Sequence, residues 1–143
     1  MNKIVVDSSI VIKWFVPEPY STEARRILNE YQTGELSLRA PDLINAEVGN
    51  IVWKKHRFEG LAAEDAQEII HAFHTLIFVL TSTADLLDVA YQLAVNHQRT
   101  VYDALYIALS IQEQCQFVTA DEKLVNAVRA GYPNIIWVAN WHP

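Results

Sequence analysis

The chain has 143 residues, of which 51% are hydrophobic and 20% charged, with a formal net charge of −6. This composition excludes a disordered segment, and the length suits one domain that buries roughly two-thirds of its unfolded surface. The acidic balance excludes a generic polyanion binder, whose affinity comes from neutralising phosphates with Lys and Arg. Cys115 is the single cysteine, which excludes an internal disulfide framework and fits a reducing compartment.

Residues 4–6 are a short β-branched run that predicts a buried strand; Asp7 stops it, and residues 10–15 resume as a short apolar helix. A helix is expected over 20–31, with Ala24, Ile27, Leu28 and Tyr31 at helical spacing, then a strand over 35–40 stopped by Pro41. Leu43–Phe58 reads as a helix with Ile44, Val48, Ile51 and Val52 as its apolar stripe and basic residues in its last turn, where they suit the dipole. Beyond Gly60 the pattern predicts a helix over 61–75, a strand over 78–81, helices over 84–97 and 102–114, a strand over 117–119, a helix over 122–130 and a last strand over 135–138. Strands alternating with helices predict an α/β fold with a parallel sheet whose carboxyl ends share one edge. The longest charge-free stretch, 69–84, has 16 residues including two His and three Thr, so it falls short of a membrane span. With no basic and apolar leader at the start, a cytoplasmic protein is expected.

Most acids have ordinary places. Glu59, Glu64, Asp65 and Glu68 suit solvated helix faces, and Asp42 is expected to cap the helix that begins at Leu43. Asp7 and Asp121 each follow a predicted strand, and Asp103 stands three residues after Thr100 in a box-like arrangement. Each of these three reads either as part of a helix cap or as a ligand at the carboxyl edge of the sheet, where open α/β folds build their sites. Glu47 cannot be a cap. It lies three residues after Ile44 and four before Ile51, so it is either a buried carboxylate in need of a partner or a surface residue on a helix of shifted phase. No Lys or Arg stands out as its mate, which makes a cation the economical partner. All four acids can reach one sheet edge, where they would repel one another and titrate as a coupled set. Oxygen ligands of this kind suit Mg²⁺ or Mn²⁺, which keep several waters and bridge to phosphate oxygens. Such a cation would also reconcile the acidic chain with a nucleic-acid substrate.

The stretches VVDSSIVIKWF, PDLINAEVGNIVWK, TVYDALYIALS and FVTADEKLVNA carry these acids in order. They resemble the PIN-domain family, and within it the VapC-type toxins of prokaryotic toxin–antitoxin pairs. The resemblance spans nearly the whole chain and implies a single PIN-like domain over residues 1–143. The implied fold is three-layer α/β/α around a central, mostly parallel sheet of about five strands. The implied activity is that of a Mg²⁺- or Mn²⁺-dependent endoribonuclease with Asp7, Glu47, Asp103 and Asp121 as catalytic, metal-holding acids. Asp7, Glu47 and Asp103 are expected as direct ligands, while Asp121 either ligates directly or holds a metal-bound water. Hydroxide attack in line would leave a 5′-phosphate and a 3′-hydroxyl. Thr119 matches the family's small hydroxyl position, and Ser8 is a similar candidate beside Asp7. Lys13, Arg99 and Lys123, close in sequence to the acids, are either contacts for the RNA backbone or ordinary surface charge. A cognate antitoxin and a homodimer are the implied partners; Trp14, Phe15 and Trp53 either line the antitoxin groove or belong to the core.

Rival readings fit less well. Phosphotransfer of the haloacid-dehalogenase kind needs a second Asp two residues after the first, where this chain has Ser9, and the strand before TSTAD supplies no phosphoacceptor acid. A PIN-like module without catalysis, or a metal-dependent DNA nuclease, remain the alternatives. His71 and His74 lack a third ligand, Cys115 is expected to be a buried structural thiol, and four glycines leave no phosphate-binding loop.

Overall fold

The computed structural model describes residues 2–143, which form five strands and seven helices. In chain order they are β1 (Asn2–Val6), α1 (Ser8–Phe15), α2 (Ser21–Gln32), β2 (Leu36–Pro41), α3 (Leu43–Phe58), α4 (Ala63–Thr75), β3 (Phe78–Thr81), α5 (Thr83–His97), α6 (Val101–Glu113), β4 (Gln116–Thr119), α7 (Glu122–Val128) and β5 (Ile135–Trp137). A 3₁₀ turn, Val138–Asn140, follows.

Every strand pairing is parallel, in the order β3-β2-β1-β4-β5. β1 is the central strand. Ile4, Val5 and Val6 are all buried, and because neighbouring side chains of a strand face opposite sides, both faces of β1 are covered. Val5 pairs with Arg39 of β2 on one side and with Phe117 of β4 on the other. The chain works outward from β1 through β2 to β3, then crosses back to β4 and β5. The order therefore reverses between β1 and β4, and the crevice beyond their carboxyl ends is where such sheets bind ligands. α6 lies along β1, β2 and β4 with α5 packed on it, while α1 rests on β1 and β4 and against α2 and α3. This is the three-layer α/β/α arrangement that the family resemblance implies, built on the parallel sheet that the alternation of elements predicts. Among the described residues no helix is long and apolar enough to cross a membrane.

Several local expectations change. α1 begins at Ser8, earlier than the apolar run suggests, because Asp7 caps it. β2 continues through Pro41, which pairs with Thr81 as the strand's last residue; the next N–H, of Asp42, donates to the Thr81 carbonyl at 2.9 Å. Asp42 does not cap α3 with its side chain. Its Oδ1 accepts the Thr83 N–H at 3.1 Å and so fastens the start of α5. α4 begins at Ala63, and α7 ends at Val128. Trp14 belongs to the core and not to a groove: it is 6% exposed, and its indole N–H donates to the Ala24 carbonyl at 2.8 Å, tying α1 to α2. His71 and His74 are exposed, and burial pushes the half-buried Cys115 thiol up.

Trp14→Phe should keep most of the packing but lose the bond to Ala24, costing about 1–2 kcal/mol, against about 3–5 kcal/mol for Trp14→Ala. Urea unfolding checks this: the midpoint should fall in that order while the slope stays constant.

Candidate active site

β1 and β4 end side by side at the switch point. One residue past Val6, Asp7 takes an extended backbone (φ −101°, ψ −179°) and caps α1, its Oδ1 accepting the Ser9 N–H at 3.1 Å. The Ser9 hydroxyl donates to the same oxygen at 2.5 Å and accepts the Ala120 N–H at 3.0 Å. The fully buried Thr119 donates its hydroxyl to Asp7 Oδ2 at 2.5 Å and accepts the Asp121 N–H at 3.1 Å. Each Asp7 oxygen is thus gripped by a hydroxyl that the β4–α7 turn fixes in place. Asp121 caps α7, its Oδ1 accepting the Leu124 N–H at 3.0 Å.

The other two acids arrive from helices. Glu47, in the second turn of α3, is partly exposed, and its Oε1 accepts the Tyr106 hydroxyl at 2.5 Å. Asp103 sits in the first turn of α6, where its N–H donates to the capping Thr100 hydroxyl at 3.1 Å. Its carboxylate lies 3.9 Å from Arg99 Nε.

The electrostatics link these acids in a row. Asp7 keeps some surface open but is otherwise surrounded by protein, and that burial pushes its carboxyl up to about 6 against the pull of Ser9 and Thr119, with the Glu47 charge adding to the rise. Glu47 is raised by burial and by Asp103, with Tyr106 and Ser8 pulling the other way. Asp103 is raised by burial and by Asp121, with Arg99 and Thr100 opposing. Among the described residues no three Asp, Glu, His or Cys side chains converge tightly enough to cage an ion alone. An all-oxygen set of this kind suits a cation that takes few carboxylates and keeps much of its water.

The structure therefore brings Asp7, Glu47, Asp103 and Asp121 to one edge, with Thr119 behind Asp7. Ser8 is buried beside Asp7 but does not supply its hydroxyl. The hydroxyl at Asp7 is that of Ser9, whose sequence signal is its place two residues beyond an Asp that begins a turn. Tyr106 was equally hidden: nothing in an apolar helix marks which phenol meets an acid 59 residues away. Lys13 has another occupation. It is buried, and its ammonium binds Glu18 Oε1 at 3.1 Å while Lys55 binds Oε2 at 2.8 Å, so it is not free to meet a phosphate backbone. Burial raises Glu18, but Lys55 and Lys13 together hold its carboxyl below the usual range. Arg99 stands at the site beside Asp103, and Lys123 is exposed in the first turn of α7.

A parallel α/β sheet with a row of carboxylates at its switch point defines a class of protein whose chemistry lies at the carboxyl edge of the sheet. The family model of the PIN domain matches residues 4–130, and this chain belongs to the PIN-domain family. Ribonuclease VapC3 of Pyrobaculum aerophilum is 36% identical over 127 residues, covering 85% of this chain and 92% of the relative. Ribonuclease VapC1 of Mycobacterium tuberculosis is 29% identical over 128 residues, covering 89% of this chain and 92% of the relative. The fold is also that of two solved structures. PAE2754 from Pyrobaculum aerophilum matches with a TM-score of 0.60 at 20% identity, over 96% of this chain and 92% of that one. VapC20 of Mycobacterium tuberculosis, a toxin that cleaves the sarcin-ricin loop, matches with a TM-score of 0.63 at 17% identity, over 87% of this chain and 94% of that one.

An acid raised from 3.8 to about 6 binds protons more tightly when folded, so its burial destabilises the fold increasingly as pH climbs through that window. Asp7→Asn keeps a good cap and removes the charge. In EDTA at about pH 7.5 the variant should therefore be more stable than the parent by about 1–3 kcal/mol, the gain fading near pH 4. Thermal unfolding at both pH values is the check.

Proposed function

We propose that this chain is a Mg²⁺- or Mn²⁺-dependent endoribonuclease that hydrolyses RNA phosphodiester bonds, acting in the cytoplasm as the toxin of a toxin–antitoxin pair. One observation carries the reading: Asp7, Glu47, Asp103 and Asp121 stand as electrostatic neighbours at the switch point, and the first three have carboxyls pushed up by burial and by the next acid in the row. Structural carboxylates find basic partners. Among the described residues Arg99 is the one basic side chain within ion-pair reach of any of these four. The relatives named ribonucleases support RNA as the substrate.

Asp7, Glu47 and Asp103 would hold the ion, and Asp121 completes the set. A bound Mg²⁺ or Mn²⁺ supplies an activated water and neutralises charge on the phosphate oxygens. The chain's own residues prepare that site. Ser9 and Thr119 fix both oxygens of Asp7, and Tyr106 meets Glu47. Arg99, beside Asp103, and Lys123, at the rim, offer cationic groups to the RNA backbone. Phe15 lines a hollow with Val16, Pro17, Leu61, Ile69 and Ala72, edged by Asp65 and Glu68, which supports binding of an antitoxin segment that is apolar with a basic flank there. Trp53, 53% exposed and edge-on to Phe58, lies outside that lining. Leu87, Tyr91 and Val95 are exposed at four-residue spacing on α5 and support a second copy of the chain as a partner.

The test is cleavage of a mixed pool of structured RNAs by the antitoxin-free protein. Cutting should require Mn²⁺ or Mg²⁺ and stop in EDTA. Glu47→Gln should reduce it by more than about a hundredfold, beyond what changes behind a ligand typically cost. Cutting that survives both EDTA and Glu47→Gln would remove the acids from the chemistry. The rate should also fall toward acid pH, where protons compete with the cation for the carboxylates; a pH–rate profile rising toward acid would contradict the assignment.

A further inference from the structure

Tyr106 stands one turn beyond Asp103 on α6 and is 2% exposed. Its ring lies almost parallel to Phe117 of β4, with centroids 5.6 Å and planes 16° apart. A ring stacked on a fully buried residue of an interior strand has little freedom, so the position of its hydroxyl is set by the sheet. That hydroxyl donates to Glu47 Oε1 at 2.5 Å. The phenol is the donor in this pair and the Glu47 oxygen the acceptor.

The elements themselves do not fix this meeting. α3 packs chiefly on α1 and α4, and α6 on α5 and the sheet. Glu47 therefore enters the site on a helix whose spacing from Asp103 is governed elsewhere, on a long side chain with several free rotors. Ordering such a chain costs rotamer entropy, which a single strong hydrogen bond offsets in advance of ligand binding. We propose that Tyr106 is the positioning residue for Glu47: its phenol, held flat on Phe117, fixes the Glu47 carboxylate at the acidic edge in the orientation that receives the cation. The proposal rests on the metal-dependent reading of the site and adds to it a residue that touches neither ion nor RNA.

The experiment is Mn²⁺ titration calorimetry on four proteins: the parent, Tyr106→Phe, Glu47→Gln and the double variant. Tyr106→Phe keeps the ring and its stacking, and thermal unfolding in EDTA verifies that the fold is intact. Its Mn²⁺ Kd should rise about tenfold, the scale of losses behind a metal ligand. In the Glu47→Gln background the same change should move Kd by less than about twofold, because Tyr106 acts through Glu47. The RNA-cleavage kcat of Tyr106→Phe should recover toward the parent's at saturating Mn²⁺. As a second route, Phe117→Leu keeps the hydroxyl but removes its flat support, and should weaken Mn²⁺ binding only where Glu47 is present. An unchanged Kd in Tyr106→Phe, or an equal loss with and without Glu47, overturns the positioning role and leaves the nuclease reading standing. A parent protein that binds no Mn²⁺ overturns both.

Discussion

Two hydroxyls hold the two oxygens of Asp7, and the shape of the sheet edge depends on that grip. Ser9 reaches Asp7 from the first turn of α1, and Thr119 reaches it from the end of β4. The same hydroxyls accept the N–H groups of Ala120 and Asp121. One carboxylate thereby joins the end of the central strand, the start of α1 and the turn into α7. A buried carboxylate without partners costs several kcal/mol, roughly, whereas hydrogen bonds to a charged group contribute about 1.5–3 kcal/mol each. The bonds offset most of the desolvation but not all of it, since the carboxyl still sits at about 6. The fold tolerates this residue; it does not depend on its charge for stability.

The rest of the charge distribution leaves that edge acidic. Lys13 and Lys55 converge on Glu18, and Lys3 and Arg39 on Glu113, so a good part of the basic complement is bound to acids outside the row. Among the described residues Arg99 alone approaches it within ion-pair reach, and at 3.9 Å from Asp103 it is too far for a hydrogen bond. Its Nε is buried without a partner, which is costly unless another group arrives. A protein of net charge −6 can still meet a polyanion if its acids are concentrated where a divalent cation reverses the local field.

The order of elements and the acidic row were legible in the sequence because both are local patterns. Alternating β-branched runs and helical stripes announce a parallel sheet, and acids that follow its strands, as Asp7 and Asp121 do, fall on one edge whatever the details of packing. Glu47 showed itself as a charge inside an apolar stripe. Contacts between distant elements left no such mark. Ser9 and Ser8 are adjacent and alike, and only the turn of α1 decides that Ser9, not Ser8, bonds Asp7. Lys13 lies close to the acids in sequence, but the helix carries it round to Glu18. Asp42 stands at the right position to cap α3, yet the neighbouring strand brings Thr83 within its reach and wins the carboxylate. In each case the local rule named the residue type correctly, and tertiary geometry chose its partner.

Helix capping and metal binding are often offered as competing explanations for an acid at a strand end, but one residue can serve both. Asp7 caps α1 and Asp121 caps α7. Capping alone, however, does not require a carboxylate: Asn or Ser caps about as well and carries no charge to desolvate. At Asp7 the carboxylate is the more costly choice, because burial and Glu47 both oppose its ionisation. Glu47 caps nothing and Asp103 leaves the cap of α6 to Thr100, yet both add charge to the same edge. The caps account for where the chain turns; the excess of charge beyond what capping needs is what a cation at the switch point would use.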